Sequence, residues 1–81
     1  MRVNVKLFAV VRERVGVSEL PLDLPTGTTA GDALGRLRES YGEIGAMLAR
    51  CAVAVNRQYV DRDAVLREGD ELAVIPPVSG G

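Results

Sequence analysis

The chain has 81 residues, of which 47% are hydrophobic and 26% charged, with a net charge of −1, values typical of one globular domain. The near-zero charge excludes the basic surface with which proteins bind nucleic acid, and the absence of histidine excludes Cys/His zinc sites and Ser-His-Asp or Cys-His catalytic sets. A single cysteine permits no internal disulfide, and no apolar run is long enough for a signal peptide or a spanning helix, so we expect a cytoplasmic protein with no membrane partner.

Two segments near the start of the chain alternate apolar and polar residues, the pattern of half-buried strands. Residues 2–9 form the first strand and residues 18–24 the second, joined by a turn or a single helical turn over residues 12–16. The phase of the first strand places Phe8 on the face away from the core. Pro21 lacks a backbone donor, which suits an edge strand, and the short connection predicts antiparallel pairing. The side chains predicted to point inward are Val3, Val5, Leu7, Leu20, Leu22 and Leu24.

A helix is predicted over residues 30–41. Thr29 has the character of an N-cap, and Asp32 three residues later gives a start that resembles a capping box. Apolar residues then recur at the spacing of one buried helical face, and Gly42 ends the helix. The members of that face are Ala30, Ala33, Leu34, Leu37 and Tyr41, and Ile44, Met47 and Leu48 predict a further short helical turn in the core.

The second half of the chain predicts three strands. Residues 52–55 form a short buried strand, residues 59–60 a brief one after a turn, and residues 71–75 the last. Pro76 cannot donate to a ladder, so the sheet ends before it. The order β-β-α-β-(β)-β predicts an α+β fold, a mixed sheet of four to five strands with one main helix packed on one face. This is the β-grasp, or ubiquitin-like, arrangement.

No catalytic set is visible within these elements. There is no P-loop and no metal-ligand spacing, so we expect no bound metal or cofactor. Cys51 begins a buried strand, which is typical of a small core hydrophobe and not of a nucleophile. The stretch 61–71 holds five carboxylates and two arginines, a local charge of −3. It is either a solvated loop or an acidic patch that steers the domain onto a basic partner.

An exposed apolar surface is a second candidate feature. Phe8 is predicted to face outward, and one of the two alternating faces of residues 72–75 faces outward beside it. Tyr59 is a candidate third member. Such a patch on a small domain marks a partner surface. The alternative is that the turn around residues 9–16 folds over Phe8.

The sequence divides into a domain of residues 1–75 and an extended tail of residues 76–81. The tail comprises Pro76, Pro77, Val78, Ser79, Gly80 and Gly81. The two prolines stiffen it, and the two glycines fit a channel little wider than the backbone. The terminal carboxylate is a poor electrophile and needs activation, for example as an acyl-adenylate. This domain has no nucleotide site, so another protein must perform that step. The alternative is a frayed end.

Two stretches resemble the small subunit of molybdopterin synthase, the MoaD family of ubiquitin-like sulfur carriers. The first is Val5-Lys6-Leu7-Phe8-Ala9, followed by Arg12-Glu13 and Gly16. The second runs from Val53-Ala54-Val55-Asn56 through Leu66 and Glu68-Gly69-Asp70-Glu71-Leu72-Ala73 to Ile75-Pro76-Pro77-Val78-Ser79-Gly80-Gly81. The ending Pro-Pro-Val-Ser-Gly-Gly is the most specific part, because Gly-Gly alone is common to ubiquitin-like modifiers.

The resemblance implies that the carboxylate of Gly81 is the reacting group. In that family a MoeB-type enzyme uses ATP to form the acyl-adenylate, and a sulfur donor protein converts it to a thiocarboxylate. The carrier then docks on the MoaE-type large subunit, within a heterotetramer, and donates sulfur to cyclic pyranopterin monophosphate. The resemblance assigns partner contacts to Phe8, Arg12, Tyr59 and Ile75. It also implies that the chain is a sulfur-donating subunit and no enzyme on its own.

Three other functions fit the same ending. One is a sulfur carrier of the same fold for thiamine, tRNA thiolation or cysteine synthesis. Another is a ubiquitin-like modifier joined to lysines of other proteins; such a modifier could build chains on itself only through Lys6, its single lysine. The third is an adaptor domain with an inert tail.

Overall fold

The computed structural model describes residues 1–78, which form five strands and three α-helices. The strands are β1 (Arg2–Leu7), β2 (Glu19–Asp23), β3 (Ala52–Val55), β4 (Gln58–Val60) and β5 (Glu71–Ile75). The helices are α1 (Ala9–Val15), α2 (Ala30–Ser40) and α3 (Gly45–Leu48), with a 3-10 turn at Gly42–Ile44 before α3. The predicted element order is confirmed, including the brief fourth strand.

The strands form one mixed sheet in the order β2-β1-β5-β3-β4. β1 and β5 run parallel, and the other three pairs are antiparallel. This sheet, with helices on one side, confirms the α+β, ubiquitin-like fold. Pro21 lies in β2, an edge strand, as the missing backbone donor predicts.

The connection between β1 and β2 differs from the sequence prediction. The strand ends at Leu7, not at residue 9, and the following residues form the seven-residue helix α1, which is longer than the predicted turn or single helical turn. The backbone turns at Ala9, whose φ of +49° is a conformation that costs an alanine about 1 kcal/mol. The helix buries Val11 completely in the core, which offsets that strain, and Gly16 closes the helix at φ +96°.

Helix α2 begins where the capping pattern predicts. The Asp32 backbone N–H donates to Thr29 Oγ1 at 3.1 Å, and the Thr29 N–H donates to Asp32 Oδ2 at 3.3 Å. Its apolar face packs on the sheet with the residues of a single core. Each fully buried valine or leucine there contributes about 1.5–3 kcal/mol. The core residues from the strands are Val3, Val5, Leu7, Val53, Leu72 and Val74, and those from the helical layer are Val11, Ala30, Ala33, Leu34, Leu37, Ile44 and Leu48.

The core residues from the strands all lie on one face of the sheet, because strand side chains alternate. The register pairs Val5 with Leu72 and Val53 with Val74 on this core face. Within residues 1–78 the helices pack on this face, and the opposite face is open. No helix in the same range has the length and apolar character needed to cross a bilayer.

Candidate functional site

A row of four side chains crosses the open face of the sheet. Lys6 pairs with Ala73, Ala73 with Ala54, and Ala54 with Tyr59. The two alanines are almost completely buried although no described helix covers them, whereas Tyr59 is 73% exposed. The middle of the row is therefore a flat floor formed by the two alanines, and the aromatic ring of Tyr59 projects at one end.

A second row lies one step further along the strands. Ile75 pairs with Ala52 and is half-buried. Leu7 pairs with Val74, so Phe8 follows at the level of Ile75. Phe8 keeps an extended backbone and is 41% exposed, so α1 does not fold over it. We call the surface formed by Phe8, Ala52, Ala54, Tyr59, Ala73 and Ile75 the docking face.

The C-terminal segment leaves the sheet beside the docking face. β5 is the central strand, and the chain continues from Ile75 into Pro76–Val78, which has no regular secondary structure. Val78 is 94% exposed. Ser79, Gly80 and Gly81 lie outside the described residues, so the reacting group named from the sequence stays a prediction.

Arg12 lies on α1, one helical turn after Phe8. Its backbone N–H donates to the Phe8 carbonyl at 3.3 Å, and its side chain is exposed. The structure thus brings Arg12 and Phe8 to the same end of the sheet. Phe8, Tyr59 and Ile75 share the open face, and the assignment of all four as partner contacts remains a prediction.

The remaining part of the open face, over β1 and β2, is polar. Arg2 Nε lies 3.1 Å from Asp23 Oδ1, and this hydrogen bond holds the pKa of the Asp23 carboxyl below its usual range. Lys6 Nζ lies 3.1 Å from Glu71 Oε1. A third contact joins Asn4 Nδ2 to Glu19 Oε1 at 2.9 Å. The open face therefore has an apolar part, and a polar part whose charged and amide groups pair with one another.

These ion pairs and the alanine floor escaped the sequence interpretation. The Lys6–Glu71 ion pair depends on the parallel pairing of β1 with β5, and these two strands lie far apart in the chain. The local signal is that β3 alternates alanine with valine and that Ala73 is the smallest residue of β5.

Two carboxylates of residues 61–71 stabilise loops by accepting hydrogen bonds. Glu68 Oε1 accepts from the Arg2 backbone N–H at 3.0 Å. Asp70 accepts from Asn56 Nδ2 at 3.0 Å and from the Arg67 N–H at 2.8 Å. These contacts favour the solvated-loop interpretation for Glu68 and Asp70 over a patch reserved for a basic partner.

Cys51 is a core residue, as its position in the sequence predicts. It is 6% exposed, and its Sγ–H donates to the Met47 carbonyl at 3.2 Å. Burial raises the pKa of the Cys51 thiol, and the nearby Arg62 charge opposes this only in part. The Arg62 guanidinium itself donates to the carbonyls of Leu48 at 2.9 Å and Cys51 at 2.8 Å, closing the end of α3.

Residues 1–78 contain no group of three or more Cys, Asp or Glu side chains placed to hold a metal ion. A groove of about 340 Å³ lies between α2 and α3, on the side of the sheet away from the docking face. It is lined mainly by small residues and two arginines: Gly31, Leu34, Gly35, Arg38, Gly45, Leu48, Ala49 and Arg62. The docking face with the adjoining C-terminal segment is therefore the better candidate site.

Comparison with known proteins agrees with this geometry. Residues 5–81 match the model of the ThiS family. The molybdopterin synthase sulfur carrier subunit of Arabidopsis thaliana is 36% identical over 100% of this chain and 84% of its own length. That of Drosophila erecta is 42% identical over 100% of this chain and 92% of its own.

Two solved structures share the fold over their whole length. SAMP1 of Haloferax volcanii has a TM-score of 0.90 and 29% identity, covering 100% of both chains. In the complex of subunits 1 and 2 of the molybdopterin-converting factor of Helicobacter pylori, the matching chain has a TM-score of 0.73 and 27% identity, again covering 100% of both. The resemblance seen in the sequence is confirmed: the chain belongs to the ThiS family, and its full-length relatives include molybdopterin synthase sulfur carrier subunits.

Proposed function

We propose that the chain is the sulfur carrier subunit of a molybdopterin synthase, with the carboxylate of Gly81 as the group that carries sulfur. The observation that supports this most is full-length similarity to relatives bearing that name, at 36% and 42% identity. The open docking face and the segment that leaves the sheet beside it are what such a carrier needs.

The proposed chemistry takes place at the terminus and uses machinery of other proteins. A carboxylate oxygen of Gly81 attacks the α-phosphate of ATP, and pyrophosphate leaves. The outer sulfur of a donor protein's persulfide then attacks the acyl carbon, and AMP leaves. A second thiol cleaves the resulting acyl disulfide, so the products are the thiocarboxylate and a disulfide of the donor. The adenylating enzyme supplies the ATP site, so the carrier binds no cofactor. We propose the cytoplasm as the compartment, because this activation consumes ATP.

The docking face accounts for how the carrier presents its terminus. When a partner covers this face, the apolar floor and the Phe8 and Tyr59 rings become buried. Buried aromatic anchors of this kind supply much of the affinity of an interface. The six residues 76–81 in extended form reach about 20 Å from the sheet. That distance suffices to carry a sulfur atom from the docked domain into a partner's active site.

The proposed recipient is the large synthase subunit, to which the thiocarboxylate gives sulfur for the dithiolene of molybdopterin. The complex of subunits 1 and 2 from Helicobacter pylori, in which a homologue of this chain pairs with a second protein, supports such a partner. The MoeB-type adenylating enzyme and a sulfur donor protein complete the proposed set of partners.

A second candidate is a ubiquitin-like modifier that is joined to lysines of other proteins. The fold similarity to SAMP1, a small archaeal modifier protein, favours keeping it. Denaturing blots against a Lys6→Arg chain, which cannot acylate itself at a lysine, separate the two: a carrier runs as a single band, whereas a modifier gives a ladder of conjugates with other proteins. A carrier that serves thiamine or tRNA thiolation is the third possibility within the same chemistry.

Gene deletion tests the choice of pathway. A strain without this chain is expected to lose molybdoenzyme activity while it grows without thiamine. Complementation with the full chain is expected to restore activity, and complementation with a chain lacking Gly81 is not. Normal molybdoenzymes in the deletion strain, with no second copy of the gene, would refute the proposed function.

A further inference from the structure

Lys6 is the only lysine in a chain that has nine arginines. Guanidinium groups react poorly with activated acyl groups, whereas a lysine amine reacts readily once it has lost its proton. The proposed activation produces an acyl-adenylate, so an acylating reagent arises in the carrier's own reaction sequence. Lys6 is then the only side-chain amine of this protein that such a reagent could acylate.

The position of Lys6 connects it with the docking face. It is the cross-strand partner of Ala73, in the same row as Ala54 and Tyr59. Along β1 it precedes Phe8 by two residues, so both side chains point to the open face. A partner that covers the docking face therefore lies against Lys6 at its margin.

The Lys6 ammonium lies close to carboxylates at the margin of the docking face. Its Nζ lies 3.1 Å from Glu71 Oε1, and the side chains of Lys6 and Glu71 are 34% and 25% exposed. On the other side its register partner in β2 is Glu19, which accepts a hydrogen bond from Asn4. Lys6 thus lies between two carboxylates, and its charge offsets that of Glu71, with which it forms the ion pair.

We propose that acylation of Lys6 switches the docking face off. In the step, the unprotonated Nζ attacks the acyl carbon of an acyl-adenylate, an amide C–N bond forms, the C–O bond to AMP breaks, and the proton passes to solvent. The amide carries no charge, so Glu71 loses its counter-ion. A partner must then cover an unpaired carboxylate, which opposes docking strongly. This inference rests on the proposed function.

Binding of the large synthase subunit to defined forms of the chain tests the switch. The chain with acetyl-lysine at position 6, made by site-specific incorporation, is expected to bind about 30-fold more weakly than the unmodified chain. The matched control combines Lys6→Arg with Arg36→Lys and is acetylated at position 36, an exposed site on α2. Acetylation at position 36 is expected to leave the affinity of this double variant unchanged.

Two glutamine variants separate charge from bulk. Lys6→Gln is expected to weaken binding about as much as acetylation does. Lys6→Gln combined with Glu71→Gln is expected to bind within about threefold of the wild type, because the carboxylate that Lys6 neutralised is removed together with the ammonium. Circular dichroism melts of all forms show whether each is folded at the assay temperature.

The outcomes distinguish this inference from the function on which it rests. Equal binding by the unmodified and the Lys6-acetylated chain would overturn the switch alone. A double glutamine variant that binds no better than Lys6→Gln would do the same. Failure of the unmodified chain to bind the large subunit would overturn the proposed function together with the switch.

Discussion

Ala54 and Ala73 face each other across β3 and β5 on the open side of the sheet, and only 4% and 7% of their surfaces are exposed. Each is small enough to lie below the side chains around it, so the sheet presents a flat apolar floor. A partner can approach the backbone closely at this floor. Its flatness is the property that separates the docking face from the polar side chains over β1 and β2.

A bulky charged residue in the floor is expected to prevent docking. Ala73→Arg should lower the affinity for the large subunit by about 3 kcal/mol, or about a hundredfold, because the charge must lose water under the partner. Isothermal titration calorimetry measures this. Ala46→Arg, at an exposed position of α3 in the helical layer, is the control and should leave binding unchanged. Equal affinities of the two variants would argue against the docking face.

Phe8 is expected to be an anchor of the interface. Phe8→Ala should weaken binding by about 2 kcal/mol, or about 30-fold, since truncated aromatic anchors lose affinity on this scale. Stability should change less, because Phe8 is already 41% exposed. Val65→Ala removes an exposed apolar side chain far from the docking face and serves as the comparison. A loss of affinity in Val65→Ala equal to that in Phe8→Ala would contradict a specific role for Phe8.

Sequence alone predicts those features of the molecule that depend on residues close together in the chain, and it fails for features that depend on residues far apart in the chain. Alternation in residues 2–9 and 71–75 predicts the first and last strands, although the first ends at Leu7, and Thr29 with Asp32 predicts the start of α2. These are local patterns whose physical causes lie within a few residues. The length and start of α1 are not predicted, because seven residues carry little periodicity and the helix depends on burial of Val11 by core residues distant in the chain.

In the candidate site, too, local features are predictable from the sequence and long-range contacts are not. The phase of β1 is enough to predict that Phe8 faces outward, and it does. The floor of Ala54 and Ala73 needs the β3–β5 register, and the Lys6–Glu71 pair needs the parallel β1–β5 pairing. Such relationships join segments distant in the chain, so no local pattern encodes them.

Cys51 is expected to be unreactive in the folded chain. Burial raises its thiol pKa, so at neutral pH the thiolate is scarcer than in an exposed cysteine, and reagent must also reach a side chain that is 6% exposed. Alkylation by iodoacetamide at pH 7, followed by mass spectrometry, should be at least about tenfold slower in the native chain than in denaturant. The rate should rise with pH as the thiolate forms. Equal native and denatured rates would show that Cys51 is accessible.

The capping box of α2 is expected to affect stability and not docking. Thr29→Ala removes the side-chain acceptor for the Asp32 N–H and should lower the free energy of unfolding by about 1 kcal/mol. Urea denaturation measures the change. Thr26→Ala, in the exposed turn before α2, should change it much less. A large loss of partner affinity in Thr29→Ala, without loss of stability, would mean that this end of α2 belongs to the interface.

The central claim is that Gly81 carries sulfur, and intact-protein mass spectrometry tests it most directly. The chain is incubated with ATP, the adenylating enzyme and a sulfur source, and the same reaction without ATP serves as control. We expect one terminal oxygen to be replaced by sulfur in the ATP-dependent reaction, with the change mapped to Gly81 by fragmentation. An unchanged mass, with the adenylating enzyme shown to be active on another carrier, would contradict the account.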